Sequence, residues 1–230
     1  LPAVILGSSI LTQEQTVQVR MLSASASSLF VPQRLRSISG SGDLILYFNQ
    51  GSELFATRNL KAGDTWTVTA PLMEAGDYGL QVIIDGCARE DDPQYERILA
   101  AYTQLPDHMQ QMVFDLAEQI TAGVDTPYEK ALALRQWLQR NCRYTLDVEW
   151  HPTNQDFVTR FLFTTREGYC VYFASAMTVL CRMAGIPARY VEGFVARPDE
   201  TGNALVTADT GHAWTEIYLS GFGWLTIDAT

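Results

Sequence analysis

Three residues in the C-terminal third of the chain could together make and use a nucleophile: Cys170, His212 and Asp228. Cys170 follows Gly168-Tyr169 and precedes a run of helical period, with Phe173, Met177, Leu180 and Ala184 on one face. It therefore stands where a helix begins. Unpaired amide N–H groups and the positive end of the helix dipole stabilise an anion there, and the thiolate is the reactive form of cysteine. The backbone N–H of Cys170 would also be free to donate to an oxyanion. Gly168 lets the chain turn sharply just before it.

A thiol nucleophile needs a base, and the chain offers only three histidines, His108, His151 and His212. His212 opens a strand-like run after Thr210-Gly211. Side chains alternate along a strand, so His212, Trp214, Glu216 and Tyr218 share one face. In the next run, Trp224, Thr226 and Asp228 share a face. A turn near 220–222 would bring His212 opposite a residue between about 228 and 232, and Asp228 lies at the low end of that range. A carboxylate there could hold one imidazole nitrogen while the other faces the thiol. His151 lies in a loop and His108 opens a solvated helix, and neither has a carboxylate placed by strand pairing.

The other cysteines lack such a setting. Cys181 is about three turns further along the helix of Cys170, too far for a bridge to it, and reads as core. Cys142 follows a helix end and Cys87 a strand end, and a bridge between these two stays open. No CxxC pair or zinc-finger spacing occurs.

The elements that must position these residues fall into two regions. Up to about residue 85 the chain reads as short strands. Thr16–Met21, Leu44–Phe48, the alternating Trp66, Val68 and Ala70, and Tyr78–Ile84 are separated by turns such as Ala62-Gly63-Asp64 and Glu74-Ala75-Gly76-Asp77. That pattern predicts a small β-sandwich. Residues 85–105 form a transition, and the domains are placed at 1–90 and 91–230. Helical periodicity follows. Met109, Met112, Val113, Leu116 and Ile120 predict one buried stripe. Thr126, Pro127 and Glu129 form a capped helix start before Ala131, Leu134 and Leu138. The runs Ala188–Ala196, His212–Leu219 and Gly223–Asp228 predict an antiparallel sheet after the cysteine helix.

The chain has 230 residues, 47% of them hydrophobic, and a formal charge of −10. It is long enough for one large domain or two small ones and is not a disordered or coiled-coil composition. The acidic balance disfavours nucleic acid or an anionic membrane surface as the main partner. No apolar stretch reaches the length of a membrane span. A chain that opens on Leu1 is expected to be a piece of a longer protein.

Residues 94–230 resemble the transglutaminase-like superfamily. The resemblance is carried by Asp156-Phe157-Val158 with Phe161-Leu162-Phe163, by Gly168-Tyr169-Cys170-Val171-Tyr172-Phe173-Ala174 and by Gly185-Ile186-Pro187-Ala188-Arg189-Tyr190-Val191-Glu192-Gly193-Phe194. It continues in Gly211-His212-Ala213-Trp214-Thr215-Glu216 and Gly223-Trp224-Leu225-Thr226-Ile227-Asp228. The resemblance implies an α+β fold. It would have a papain-like transglutaminase core, with helices packed on an antiparallel sheet, after the β-sandwich-like domain. It also implies that Cys170 is the nucleophile, His212 the general base and acid, and Asp228 its orienter. The layout is similar to that of bacterial membrane proteins that carry such a domain outside the cytoplasm, so the full-length protein is expected to be membrane-anchored. Papain-like enzymes add a side-chain oxyanion donor upstream of the cysteine, and Tyr144, Trp150 and Gln155 are all candidates.

The implied chemistry is acyl transfer from a protein or peptide carboxamide through a thioester. Water would then give hydrolysis and an amine would give cross-linking. No cofactor is implied, and no calcium loop is visible, so metal-independent activity is expected. The rival reading is a non-catalytic extracytoplasmic domain that binds peptides or serves structure.

Overall fold

The structure is a computed structural model. It describes residues 14–230 apart from 24–25, 33, 41–43, 49–52, 72–76, 88–91, 108 and 149–154. His108, His151 and Trp150 thus lie outside the described residues, as does most of the expected turn at Glu74–Asp77. The chain divides into two compact units, Leu1–Ile83 and Ile84–Thr230.

In the first unit β1 (Glu14–Arg20), β2 (Ser37–Gly40), β3 (Leu46–Phe48), β4 (Leu54–Ala56) and β5 (Thr65–Pro71) form two small antiparallel sheets, ordered β1-β5-β2 and β3-β4. The alternation seen in the sequence sets the faces. Trp66, Val68 and Ala70 of β5 are buried, while the threonines between them are half-exposed. Leu54, Ala56, Leu60, Met21 and Leu29 complete that core. Arg58 braces the turn before β5 with two hydrogen bonds to the Asp64 carboxylate, of 2.7 and 3.0 Å, and holds its pKa down to about 2.

The expected strand Tyr78–Ile84 is instead helical, within α1 (Asp77–Cys87). Short apolar runs fit either period. Here the spacing of Ile84 and Cys87 decides: both are buried, one turn apart, while Val82 between the helical positions is 57% exposed.

The second unit continues with α2 (Tyr95–Tyr102), α3 (Gln111–Thr121) and α4 (Pro127–Asn141). α4 starts as its sequence predicts. The Thr126 hydroxyl accepts the Glu129 N–H, Pro127 occupies the first turn, and Ala131, Leu134 and Leu138 are fully buried. On α3 the buried stripe is centred on Val113 and Ala117. Met112, expected within it, is 40% exposed. A helix turns 100° per residue, so adjacent Met112 and Val113 cannot both face inward on so narrow a stripe.

After α4 come β6 (Arg143–Tyr144), α5 (Phe157–Arg160), a π-helical turn at Phe161–Thr165, and β7 (Glu167–Gly168). Asp156 caps α5 by accepting the Thr159 N–H. Then follow α6 (Cys170–Met183), β8 (Ala188–Phe194), β9 (Gly211–Leu219) and β10 (Gly223–Ile227). The last three strands form the expected antiparallel sheet, in the order β10-β9-β8. α6 packs on β8 and β9, and α3 and α4 pack on α6. The fold is α+β. No helix among the described residues is long and apolar enough to cross a membrane.

Candidate active site

Cys170 is the first residue of α6, directly after its N-cap Tyr169. The approach to it is tightly built. β6 and β7 run parallel, with Tyr144 beside Gly168. The Thr145 N–H donates to the Gly168 carbonyl at 2.8 Å. Gly168 is needed for space: a Cβ there would lie 2.4 to 2.9 Å from the Tyr172 side chain. Arg166, with φ of 51°, makes the left-handed turn that leads into β7.

That parallel bridge brings Tyr144 to the cysteine. Its hydroxyl lies close to both the backbone N–H and the thiol of Cys170. Partial burial raises the phenol pKa, and Cys170 adds to the effect, so the group stays a proton donor. Of the two upstream candidates among the described residues, Tyr144 and Gln155, Tyr144 is therefore the one at the thiol. The amide oxygen of Gln155 accepts from Arg160 instead, at 3.3 Å.

The sheet brings together the other two residues. His212 Nε2 lies 2.8 Å from Asp228 Oδ2. The two are not directly opposed. β9 and β10 pair with Ile227 opposite Thr215. One further step puts Asp228 opposite Trp214, so the contact with His212 is diagonal, within reach of an aromatic side chain on the same face. The other carboxylate oxygen, Oδ1, accepts from the backbone N–H and hydroxyl of Thr230, at 3.0 and 2.9 Å. Asp228 is thereby fixed on both oxygens.

A row of side chains supports His212 on its own sheet face. The Trp214 ring stacks beside the imidazole, with centroids 6.3 Å apart. The indole N–H donates to Glu216, and Arg189 forms a salt bridge to the same carboxylate at 2.6 Å. Arg189 also lies over the Trp224 ring, 4.2 Å from its centroid. The Trp214 ring tip needs Gly193 beneath it, since a Cβ there would come within 2.5 Å of Cη2. The alternation along β9 predicts which residues share this face. The pairing of Arg189 with the buried Glu216 is not predicted by the sequence, and the charged residues at 189 and 216 in otherwise apolar runs are its only signal.

Cys170 and His212 come to the same end of the sheet. Among the described residues, the Tyr144 hydroxyl stands close to the thiol. The four cysteines are unbridged, Cys87 and Cys142 included. Burial raises the Cys142 thiol to about 11 and also raises that of Cys181.

Comparison with known proteins agrees with this architecture. A Bacillus subtilis protein called YebA is 31% identical over 96% of this chain and 31% of its own length. A protein-glutamine gamma-glutamyltransferase of Pseudomonas aeruginosa is 36% identical over 55% of this chain and 19% of its length. The chain thus spans less than a third of either relative. The crystal structure of the periplasmic domain of TgpA from Pseudomonas aeruginosa is similar over 97% of this chain and 74% of that one. Its TM-score is 0.72, at 26% identity. The sequence pattern of the transglutaminase-like superfamily matches residues 115–229, which hold Cys170, His212 and Asp228. The chain belongs to the transglutaminase-like superfamily.

Proposed function

We propose that Cys170, His212 and Asp228 act together in thiol-dependent acyl transfer from protein or peptide carboxamides. The observation that carries this reading is the 2.8 Å contact between His212 Nε2 and Asp228. It leaves Nδ1 as the imidazole atom able to serve the thiol. Nδ1 takes the thiol proton as Sγ attacks the carboxamide carbon. The oxyanion forms where the Cys170 N–H and the Tyr144 hydroxyl can both donate to it. His212 then protonates the leaving nitrogen, ammonia or an amine departs, and a thioester to Cys170 remains. A second nucleophile, deprotonated by His212, resolves it.

An amine would give transfer and water would give hydrolysis. The named activity of the Pseudomonas relative supports a glutamine side chain as acyl donor and an amine as acceptor. The likeness to a periplasmic domain supports an extracytoplasmic position.

The test is to follow glutamine peptides with and without a labelled primary amine. Amine incorporation, or ammonia release without it, is expected. Both should be lost in Cys170→Ala and in His212→Ala. Neither product from the wild-type chain, with Cys170 alkylating no faster than a free thiol, would favour the non-catalytic domain.

A further inference from the structure

The direction of α6 along the sheet shows which part of β8 stands beside Cys170. Near the helix C-terminus, Arg182 Nε donates to the Ala188 carbonyl at 2.9 Å. Midway, the Thr215 hydroxyl donates to the Ala174 carbonyl at 2.9 Å, and Thr215 pairs with Tyr190. Cys170 lies one turn before Ala174, about 6 Å further along the helix axis. Two residues of strand cover about 7 Å in the same direction. Cys170 therefore comes level with Glu192, which pairs with Ala213 and adjoins Gly193, the residue opposite His212.

Tyr190 and Glu192 share the sheet face that Thr215 turns toward α6. The Tyr190 hydroxyl donates to Glu192 Oε1 at 2.6 Å. This bond fixes an exposed carboxylate in place on an edge strand. Its second oxygen has no protein partner among the described residues. The Tyr190 phenol pKa is raised by burial, by Glu192 and also by Cys170, which agrees with a position between the two.

We propose that the Tyr190–Glu192 pair forms a subsite beside Cys170 for a cationic group of the substrate, a lysine ammonium or a guanidinium. The proposal rests on Cys170 being the reacting thiol. The cation has two chemical sources. It is either the incoming acceptor amine or a basic residue flanking the donor carboxamide. A carboxylate beside the thiol would concentrate either one near the thioester, an effect that salt weakens.

The test measures how fast Cys170 reacts with ethyl methanethiosulfonates carrying a trimethylammonium or a sulfonate group, at low ionic strength. The wild type should prefer the cationic reagent. Glu192→Gln should lower the cationic-to-anionic rate ratio about fivefold, and Glu118→Gln on α3, which removes the same charge, should change it less than twofold. An unchanged ratio in Glu192→Gln, or an equal change in both variants, would overturn the proposal. Slow reaction of Cys170 with a neutral methyl reagent would instead count against its role as nucleophile. Glutamine peptides flanked by lysine or norleucine, and acceptors that are cationic amines or hydroxylamine, then identify the source. Glu192→Gln should reduce the rate with the cationic member of at least one pair. Equal rates within both pairs would also overturn the proposal.

Discussion

His212 meets Asp228 through Nε2, at 2.8 Å, and Asp228 is held from the far side by Thr230. The carboxylate thus receives three hydrogen bonds on two oxygens. This arrangement fixes the ring plane, and a carboxylate facing Nε2 favours the tautomer that carries its proton there.

Asp228 should therefore resist replacement even by its closest analogue. Asparagine has one carbonyl oxygen, which can serve His212 or Thr230 but not both, and its amide would face a donor. Asp228→Ala is expected to lower kcat/KM by about 10²–10⁴-fold. Asp228→Asn should fall between that variant and the wild type. Steady-state kinetics on a glutamine peptide checks the order, and equal activity of Asn and Asp would contradict the two-sided hold.

The Tyr144 hydroxyl lies close to the N–H and thiol of Cys170. If it donates to the oxyanion, Tyr144→Phe should lower kcat by about 10²-fold, with little change in KM. A change confined to KM would make Tyr144 a substrate-binding residue only.

Gly193 lies under Trp214, which stacks beside His212. Gly193→Ala is expected to cost about 1–3 kcal/mol through overpacking and to reduce activity by displacing the ring. Adding Trp214→Phe, which removes the clashing ring tip, should restore the melting temperature. Thermal unfolding of the single and double variants measures this directly.

The thiols should separate by pH. Cys142, raised to about 11 from an ordinary 9.0, stays protonated and slow to alkylate at pH 8. Cys181 is fully buried and raised as well. Mass mapping after brief alkylation at pH 8 should find Cys170 ahead of both. The Cys142 shift also has a stability consequence. The folded state keeps this proton longer than the unfolded chain, so its contribution is full below pH 9 and is lost as pH rises through about 11. Denaturant midpoints between pH 8 and 11 should fall less steeply in Cys142→Ala.

The parts of the site that sequence made legible depend on local period. Cys170 was readable from a glycine turn and a helical stripe. His212 and Asp228 were readable from alternation along two strands joined by a short turn. Tyr144 was not separable from Trp150 and Gln155, because its place depends on a two-residue parallel bridge to a segment more than twenty positions away. The strand expected at Tyr78–Ile84 failed for a different reason. A short apolar run supports both periods, and only burial of Ile84 with Cys87 distinguishes them. Met112 shows the limit of composition alone, since a methionine beside a buried valine stayed at the surface.

The diagonal pairing of His212 and Asp228 has a further consequence for how this segment can vary in length. Successive strand residues face opposite ways. Inserting or deleting one residue between the turn at 220–222 and Asp228 would carry the carboxylate to the side that α6 covers, away from the imidazole. A change of two residues would keep it on the correct side but move it by one pair. Among relatives that keep this pairing, the hairpin arm should change length only in even steps, if it changes at all.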